Sequence, residues 1–391
     1  MKQFYIHSYI RKGVLIIMIL LSVIIISSLL LTGTLWLRSS GKPKPFTAKS
    51  GNPLPGSISE KIHITINGVE QGMFIKGKDR TKPVLLFLHG GLPFYFLTER
   101  YPSNVEDYFV VCWWDQRGSG LSFSPKIGKE TITLEQILAD TREVTNYLRN
   151  RFGQQKIYLM GHSGGTFIGI QAAAQNPELY HAYIGVSQMT DQFLSEQLAY
   201  EYMLGEFRKN GDSRMAKKLE RTSFSKSTGI PDKYLALRDE AMHGLGIGTT
   251  HEMRSVFSGI FLESLKNPEY TLGEKFNLWR GKATSGVHPL WKNMIATDLA
   301  KVVTSLKIPV YFFHGIHDYT TNYDLAKDYF EKLQAPVKRF YTFEQSAHSP
   351  FFEEPEKMQL ILETEILGEI QPHSKTALLF GGFSNLGNRP I

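Results

Sequence analysis

Polar and apolar positions change rhythm along this chain, and each rhythm predicts a different element. From Gly13 to Leu37 the run GVLIIMILLSVIIISSLLLTGTLWL carries no charged side chain. A helix rises about 1.5 Å per residue, so this run can cross the roughly 30 Å apolar core of a bilayer with some tilt. The stretch from Ser39 to Ser59, SSGKPKPFTAKSGNPLPGSIS, is rich in Pro, Gly, Ser and Lys and reads as a linker. In KIHITINGVEQGMFIKG, Asn67-Gly68 separates two β-rich runs, which predicts a hairpin.

Short continuous apolar runs follow. PVLLFLHG and YFVVCWWDQRG have the look of strands buried on both faces. TLEQILADTREVTNYLRNRFG predicts a helix. Thr133 and Gln136 form a capping box, and Leu134, Ile137, Leu138, Val144, Tyr147 and Leu148 share one face. KIYLM, TFIGIQAAAQ and AYIGVSQ continue as strand, helix and strand. Residues 190–300 contain helix-like segments and no buried strand, and alternation returns with IPVYFFHG, NYDLAKDYFEKLQ, VKRFYTF and PEKMQLILETEIL. The expected architecture is α/β: a mostly parallel twisted sheet flanked by helices, with an inserted helical lid. Its parts are an N-terminal membrane anchor (1–38), a linker (39–59), a core (60–189 and 301–368), a helical cap (190–300) and a tail (369–391).

Composition changes this picture in one place. The net charge of +7 suggests nucleic acid until the charges are located. Lys2, Arg11, Lys12, Arg38, Lys42, Lys44 and Lys49 fall in the first 50 residues, which hold no acid; the remainder balances 37 basic against 37 acidic residues. The folded part is neutral, which argues against a nucleic-acid partner. For the apolar run the expectation is a single-pass anchor. A long signal peptide is the rival, although such peptides have apolar regions of about 7–15 residues. A lipoprotein anchor would need a cysteine after the run, and Cys112, the one cysteine, lies in YFVVCWW as a buried thiol. Basic residues flank both ends of the run, so the charge rule does not set its orientation; the expectation is a domain outside the cytoplasm. Oligomeric state is left open.

The candidate chemistry centres on Gly161-His162-Ser163-Gly164-Gly165, a G-x-S-x-G match. The chemistry requires this motif between a strand and a helix, so that a sharp turn lifts the serine above the sheet edge. KIYLM and TFIGIQAAA supply that setting. Ser119, in RGSGLS, has no such context. A serine hydroxyl needs an adjacent base, itself oriented by an acid. Asp318 follows the strand IPVYFFHG and His348 lies in the loop after VKRFYTF, giving the order serine, acid, histidine; Glu344 is a weaker alternative acid. His314, His317 and Asp318 lack the helical spacing of a metal site, so neither metal nor cofactor is expected. The oxyanion hole is expected from the N–H groups of Gly164 and of Gly91, in the His89-Gly90-Gly91 loop. His89 is expected to organise that loop, and His162 to pack beneath the turn. The aromatic residues Tyr200, Tyr202, Phe207, Phe257, Phe261, Trp279 and Trp291 are expected to shape an apolar pocket.

These residues resemble the α/β-hydrolase superfamily over about residues 60–368. HGG after a strand, together with Trp113–Ser122 (WWDQRGSGLS), resembles the prolyl iminopeptidase group. That resemblance implies bracing roles for Asp115 and Arg117, and cap acids that hold a free amine. Glu196, Glu201 and Glu206 are the candidates. HGGLP and GHSGG depart from the group's HGGPG and G-G-S-W-G. The resulting expectation is a serine hydrolase cleaving a small peptide or amide, with a small carboxylic ester as the alternative substrate and a non-catalytic binding protein as the third reading.

Overall fold

The computed structural model describes residues 2–285 and 288–370. Helix α1 (Lys2–Leu37) holds the apolar run, whose most apolar 18-residue window has a mean hydropathy of 3.2 and is not buried against the domain. It is the one helix among the described residues long and apolar enough to cross a membrane. The hairpin β1 (Ile58–Ile66) and β2 (Val69–Gly77) turns at Asn67 and Gly68, both at positive φ (46° and 77°). That conformation suits Asn-Gly and gives the pair its register, Ile66 opposite Val69.

The buried runs form β3 (Val84–Leu88), β4 (Val110–Trp114), β5 (Ile157–His162), β6 (Tyr180–Val186), β7 (Val310–Gly315) and β8 (Lys338–Phe343). Helix α2 (Leu134–Phe152) precedes β5, and α3 (Gly164–Gln175) follows it. The eight strands lie in the order β1-β2-β4-β3-β5-β6-β7-β8, antiparallel over the first three and parallel thereafter. Alternate β3 residues feed two cores. Leu86 and Leu88 join Val144 and Leu148 of α2 and Phe167 of α3 on one face, while Leu85 and Phe87 join Phe351, Met358 and Ile361 on the other. Each side chain so buried contributes roughly 1.5–3 kcal/mol.

Between β6 and β7 lies the cap: α4 (Gln192–Lys209), α5 (Ser213–Glu220), α6 (Asp232–Leu245), a π-helical turn (Phe257–Phe261), α7 (Leu262–Lys266), α8 (Leu272–Ser285), α9 (Pro289–Ala296) and α10 (Leu299–Val302). Helix α11 (Tyr323–Lys332) links β7 to β8, and α12 (Pro350–Glu353), α13 (Pro355–Ile361) and α14 (Leu367–Ile370) close the core. Of the predicted tail, residues 371–391 lie outside the described residues.

Several expectations change. The stretch 39–59 is not a free linker. Ser39 is buried and its Oγ accepts from Lys275 Nζ of α8 at 2.8 Å, and Gly41 N–H donates to Pro268 O at 3.0 Å. Lys44 O accepts from buried Lys76 at 2.8 Å, and β1 begins inside the stretch. Backbone polar groups that a linker would give to water are instead satisfied by the domain. The capping box is half formed: Thr133 Oγ1 accepts from Gln136 N–H (3.2 Å), but the Gln136 side chain turns to Asp140. Tyr200, Tyr202 and Phe207 fill the cap's own core, and Phe257 points to solvent.

Candidate active site

Strand β5 ends at His162 and α3 starts at Gly164, leaving Ser163 as the whole of the turn, with φ 56° and ψ −126°. A non-glycine residue held there stores about 1–3 kcal/mol, which the packed surroundings must hold in place. The flanking glycines are explained by contact. A Cβ on Gly165 would lie 2.0 Å from Leu88 O, and one on Gly161 would lie 2.6 Å from Gly165 O. Ser163 also occupies the N-cap of α3 without a side-chain cap bond. The first N–H groups of that helix are therefore directed toward whatever lies at the serine, where the helix dipole favours negative charge.

His348 lies in the loop after β8, and its Nδ1 is 2.8 Å from Asp318 Oδ2. Asp318 is buried beyond the end of β7, where it also accepts from the N–H groups of Thr320 (2.8 Å) and Thr321 (3.0 Å) and from Thr321 Oγ1 (2.9 Å). Burial pushes its carboxyl pKa up, but His348 and His314 beside it outweigh burial and hold it well below the ordinary carboxylate value. Asp318 is thus ionised and fixes His348 with Nδ1 as donor, leaving Nε2 to accept a proton. Ser163 and His348 line the same cavity. Glu344, the alternative acid, sits at the surface paired with Lys357. His314 donates to Thr321 O (2.7 Å), and His317 stacks on His251.

The supporting residues are arranged in layers. His162 Nε2 donates to His348 O at 2.8 Å, and burial with His348 nearby pushes its pKa down to about 3. His89 donates from Nδ1 to Gly90 O (2.7 Å) and accepts at Nε2 from Gln116 N–H (3.1 Å); burial lowers it to about 4. Both imidazoles are neutral braces. In DQRGSGLS, Arg117 grips buried Asp140 through two nitrogens (2.7 and 2.9 Å), and Asp115 accepts from Leu121 N–H (2.7 Å). A Cβ on Gly90 would lie 2.7 Å from Ser163 Cβ and 3.1 Å from Gly164 N, so the HGG loop is packed directly on the serine turn.

Sequence reasoning missed Glu353. Its carboxylate accepts from Ala347 N–H (3.0 Å), Ser349 N–H (3.2 Å) and, across to the cap, His251 N–H (2.6 Å). Burial pushes its pKa up to about 7. The signal available was an acid five residues beyond His348, at the end of a short helix.

The serine, His348 and the HGG loop form the floor of a cavity of about 500 Å³, and the cap forms its roof. Glu196 of α4 lines the roof. It is paired with Arg238 of α6 at 2.7 Å, and it accepts from Tyr234 Oη and from Gln192, each at 3.0 Å. Glu201 is exposed and Glu206 pairs with Lys209, both away from the cavity lining, so the outward face of α4 corrects their expected role. Asp239 and Lys282, which sequence reasoning passed over, do line it. Asp239 accepts from Arg238 at 3.1 Å. Burial raises its pKa, but Arg238, Lys282 and His243 outweigh burial and lower it. A Cβ on Gly91 would lie 3.2 Å from Lys282 Nζ, and desolvation within the cavity lowers the pKa of that ammonium. Of the expected aromatic lining, Trp279 and Trp291 are present, joined by Phe94.

Residues 83–355 match the family described as alpha/beta hydrolase fold. The chain is 33% identical over 312 residues to the probable aminopeptidase YbaC of Bacillus subtilis (strain 168), a match that spans 78% of this chain and 95% of that protein. Among solved structures, the proline iminopeptidase of Mycobacterium smegmatis superposes with a TM-score of 0.55 at 14% identity, covering 79% of this chain and 98% of that one. A proline iminopeptidase-related protein of Thermus thermophilus gives 0.51 at 18%, covering 81% and 99%. The family match covers most of the chain, and the order of strands and the cap inserted between β6 and β7 are in keeping with it: the chain belongs to the α/β-hydrolase superfamily and is a hydrolase.

Proposed function

We propose that this hydrolase works through an acyl-enzyme on Ser163. The observation that carries the reading is the 2.8 Å His348–Asp318 hydrogen bond, presented in the same cavity as the strained Ser163 turn. Nε2 of His348 takes the Ser163 proton as Oγ attacks a carbonyl, and then gives it to the leaving group; water reverses the cycle. The N–H groups of Gly164, at the start of α3, and of Gly91 hold the oxyanion, each such donor being worth about 10²–10³ in rate.

The substrate we infer is a short peptide or amino-acid amide with a free amino terminus. Asp239 in the roof, though paired with Arg238, is exposed to the cavity and can accept an ammonium, whereas Glu196 is buried and taken up by Arg238, Tyr234 and Gln192. A relative called a probable aminopeptidase supports this. A second reading, a small carboxylic ester, is favoured by the pairing of roof acids with Arg238 and by the apolar remainder of the lining, such as Ile168, Met189, Leu235 and Met294. Hydrolysis of N-terminal prolyl and alanyl arylamides, against p-nitrophenyl esters, separates the two. Arylamide turnover that vanishes in Ser163→Ala is expected; ester turnover alone overturns the amine reading.

We also infer that α1 is a single-pass anchor with the domain outside the cytoplasm; the anchor is supported by a run of 25 residues without a charge, none of them buried. Mature protein starting beyond Leu37 would show a cleaved signal peptide instead.

A further inference from the structure

Outside α1, both strongly exposed phenylalanines among the described residues lie in one segment of the cap. Phe257 is 62% and Phe276 59% exposed, with Leu262 in the same segment at 36%. Isolated exposed apolar residues need no explanation, but a face does where adjoining elements each expose one: Phe257 is joined through Phe261 and Trp279 to α8, which carries Phe276. Its surroundings supply one. The apolar run of α1 ends at Leu37, and two residues later Ser39 is pinned to Lys275 of α8, next to Phe276, while Ser40 and Gly41 bond to Pro268, just beyond α7. Two residues of chain span at most about 7 Å. Wherever α1 leaves the hydrocarbon, the α7–α8 edge of the cap is held at that level. The same border carries Trp36, Arg38 and Lys42, side chains suited to the headgroup layer.

The patch is also connected inward. Phe257 stacks on Phe261 at 5.4 Å, and Phe261 meets Trp279 edge-on at 5.1 Å. Trp279 lines the catalytic cavity, as do Val256 and Ile260 of the π-helical turn and its N-cap. An aromatic series therefore runs from the exposed face to the cavity wall, and Phe276 lies one helical turn before Trp279.

We propose that this face of the cap rests on the bilayer that α1 spans, and that the enzyme takes amphiphilic amides or esters whose apolar chain enters from the membrane past Phe257, Phe261 and Trp279. The proposal rests on the anchor and serine-hydrolase readings above, and its test separates them. The full-length protein is reconstituted in phosphatidylcholine–phosphatidylglycerol vesicles, with an environment-sensitive fluorophore on Phe276→Cys or, as a control, on Val302→Cys. Val302 is 56% exposed on α10, whose Leu299 packs on the other face of the sheet, and buried Cys112 will not compete for label. Spin-labelled lipid is expected to quench the probe at 276 several-fold more than at 302. Equal quenching, with the protein retained through a carbonate wash, overturns the proposal and leaves the anchor standing. Release by carbonate overturns both. A disulfide-linked dimer through unlabelled Phe276→Cys would assign the face to a second copy and also overturn it. In the same vesicles, Phe257→Ser/Phe276→Ser is expected to lower hydrolysis of a long-chain p-nitrophenyl ester about tenfold and leave the butyrate ester unchanged. Equal loss on both esters overturns the entry route, and a Ser163→Ala variant still active on either defeats the hydrolase reading instead.

Discussion

The floor and roof of the cavity are built on different principles. Around the floor, the side chains that support His348 and the serine turn are tied to backbone: Asp318 by two N–H groups, His162 and His89 by carbonyls, Glu353 by three N–H groups. In the roof, charges hold one another: Glu196 grips Arg238, Arg238 reaches Asp239, and Asp239 feels Lys282. Backbone bonds survive substitution of neighbouring side chains, whereas a charge network shifts with any one member. The floor is suited to fixed chemistry, and the roof to a choice of substrate.

Substitutions at four positions test that contrast. Asp318→Asn leaves the shape of the floor but loses the charge that selects the His348 tautomer; kcat is expected to fall by about 10⁴ on every substrate. A small, substrate-dependent loss would show that Asp318 does not orient the base. In the roof, Arg238→Leu strands buried Glu196 and should cost roughly 3–5 kcal/mol of stability by denaturant titration, while Glu196→Leu/Arg238→Leu should recover most of it. Equal losses in the single and double variants would mean that the pair is not coupled. The smallest effect separates substrates. Asp239→Asn is expected to reduce kcat/KM for free-amine arylamides by about 10–100-fold, the worth of one charge-assisted hydrogen bond, with esters nearly unchanged. Parallel loss on both substrate types would remove Asp239 from amine binding.

The same contrast explains what could be read from the sequence. Asn67-Gly68, the all-apolar strands and the glycines around Ser163 are local: each residue type follows from the conformation of its own backbone. The order of Ser163, Asp318 and His348 was legible because each follows the end of a recognisable strand. The roof was not. LRDEAMHGL in α6 resembles a solvated helix face, and only the fold brings Arg238 to Glu196, 42 residues away. Glu201 illustrates the converse, since helical spacing did not say which way α4 would turn. The stretch 39–59 was misread for the same reason. Its composition predicts a linker, and its partners, Pro268 and Lys275, lie more than 200 residues along the chain.

That docked stretch decides where the protein can be shortened. The sheet begins at Ile58, an inviting start for a water-soluble form. Beginning there would take away Lys44 O and Ser39 Oγ, acceptors for the ammonium groups of Lys76 and Lys275, whose pKa values burial already lowers. It would also uncover the Lys76–Glu269 pair on which Phe46 sits. A soluble version that keeps its native packing starts at Ser39, so α1 can be removed but the stretch after it belongs to the enzyme.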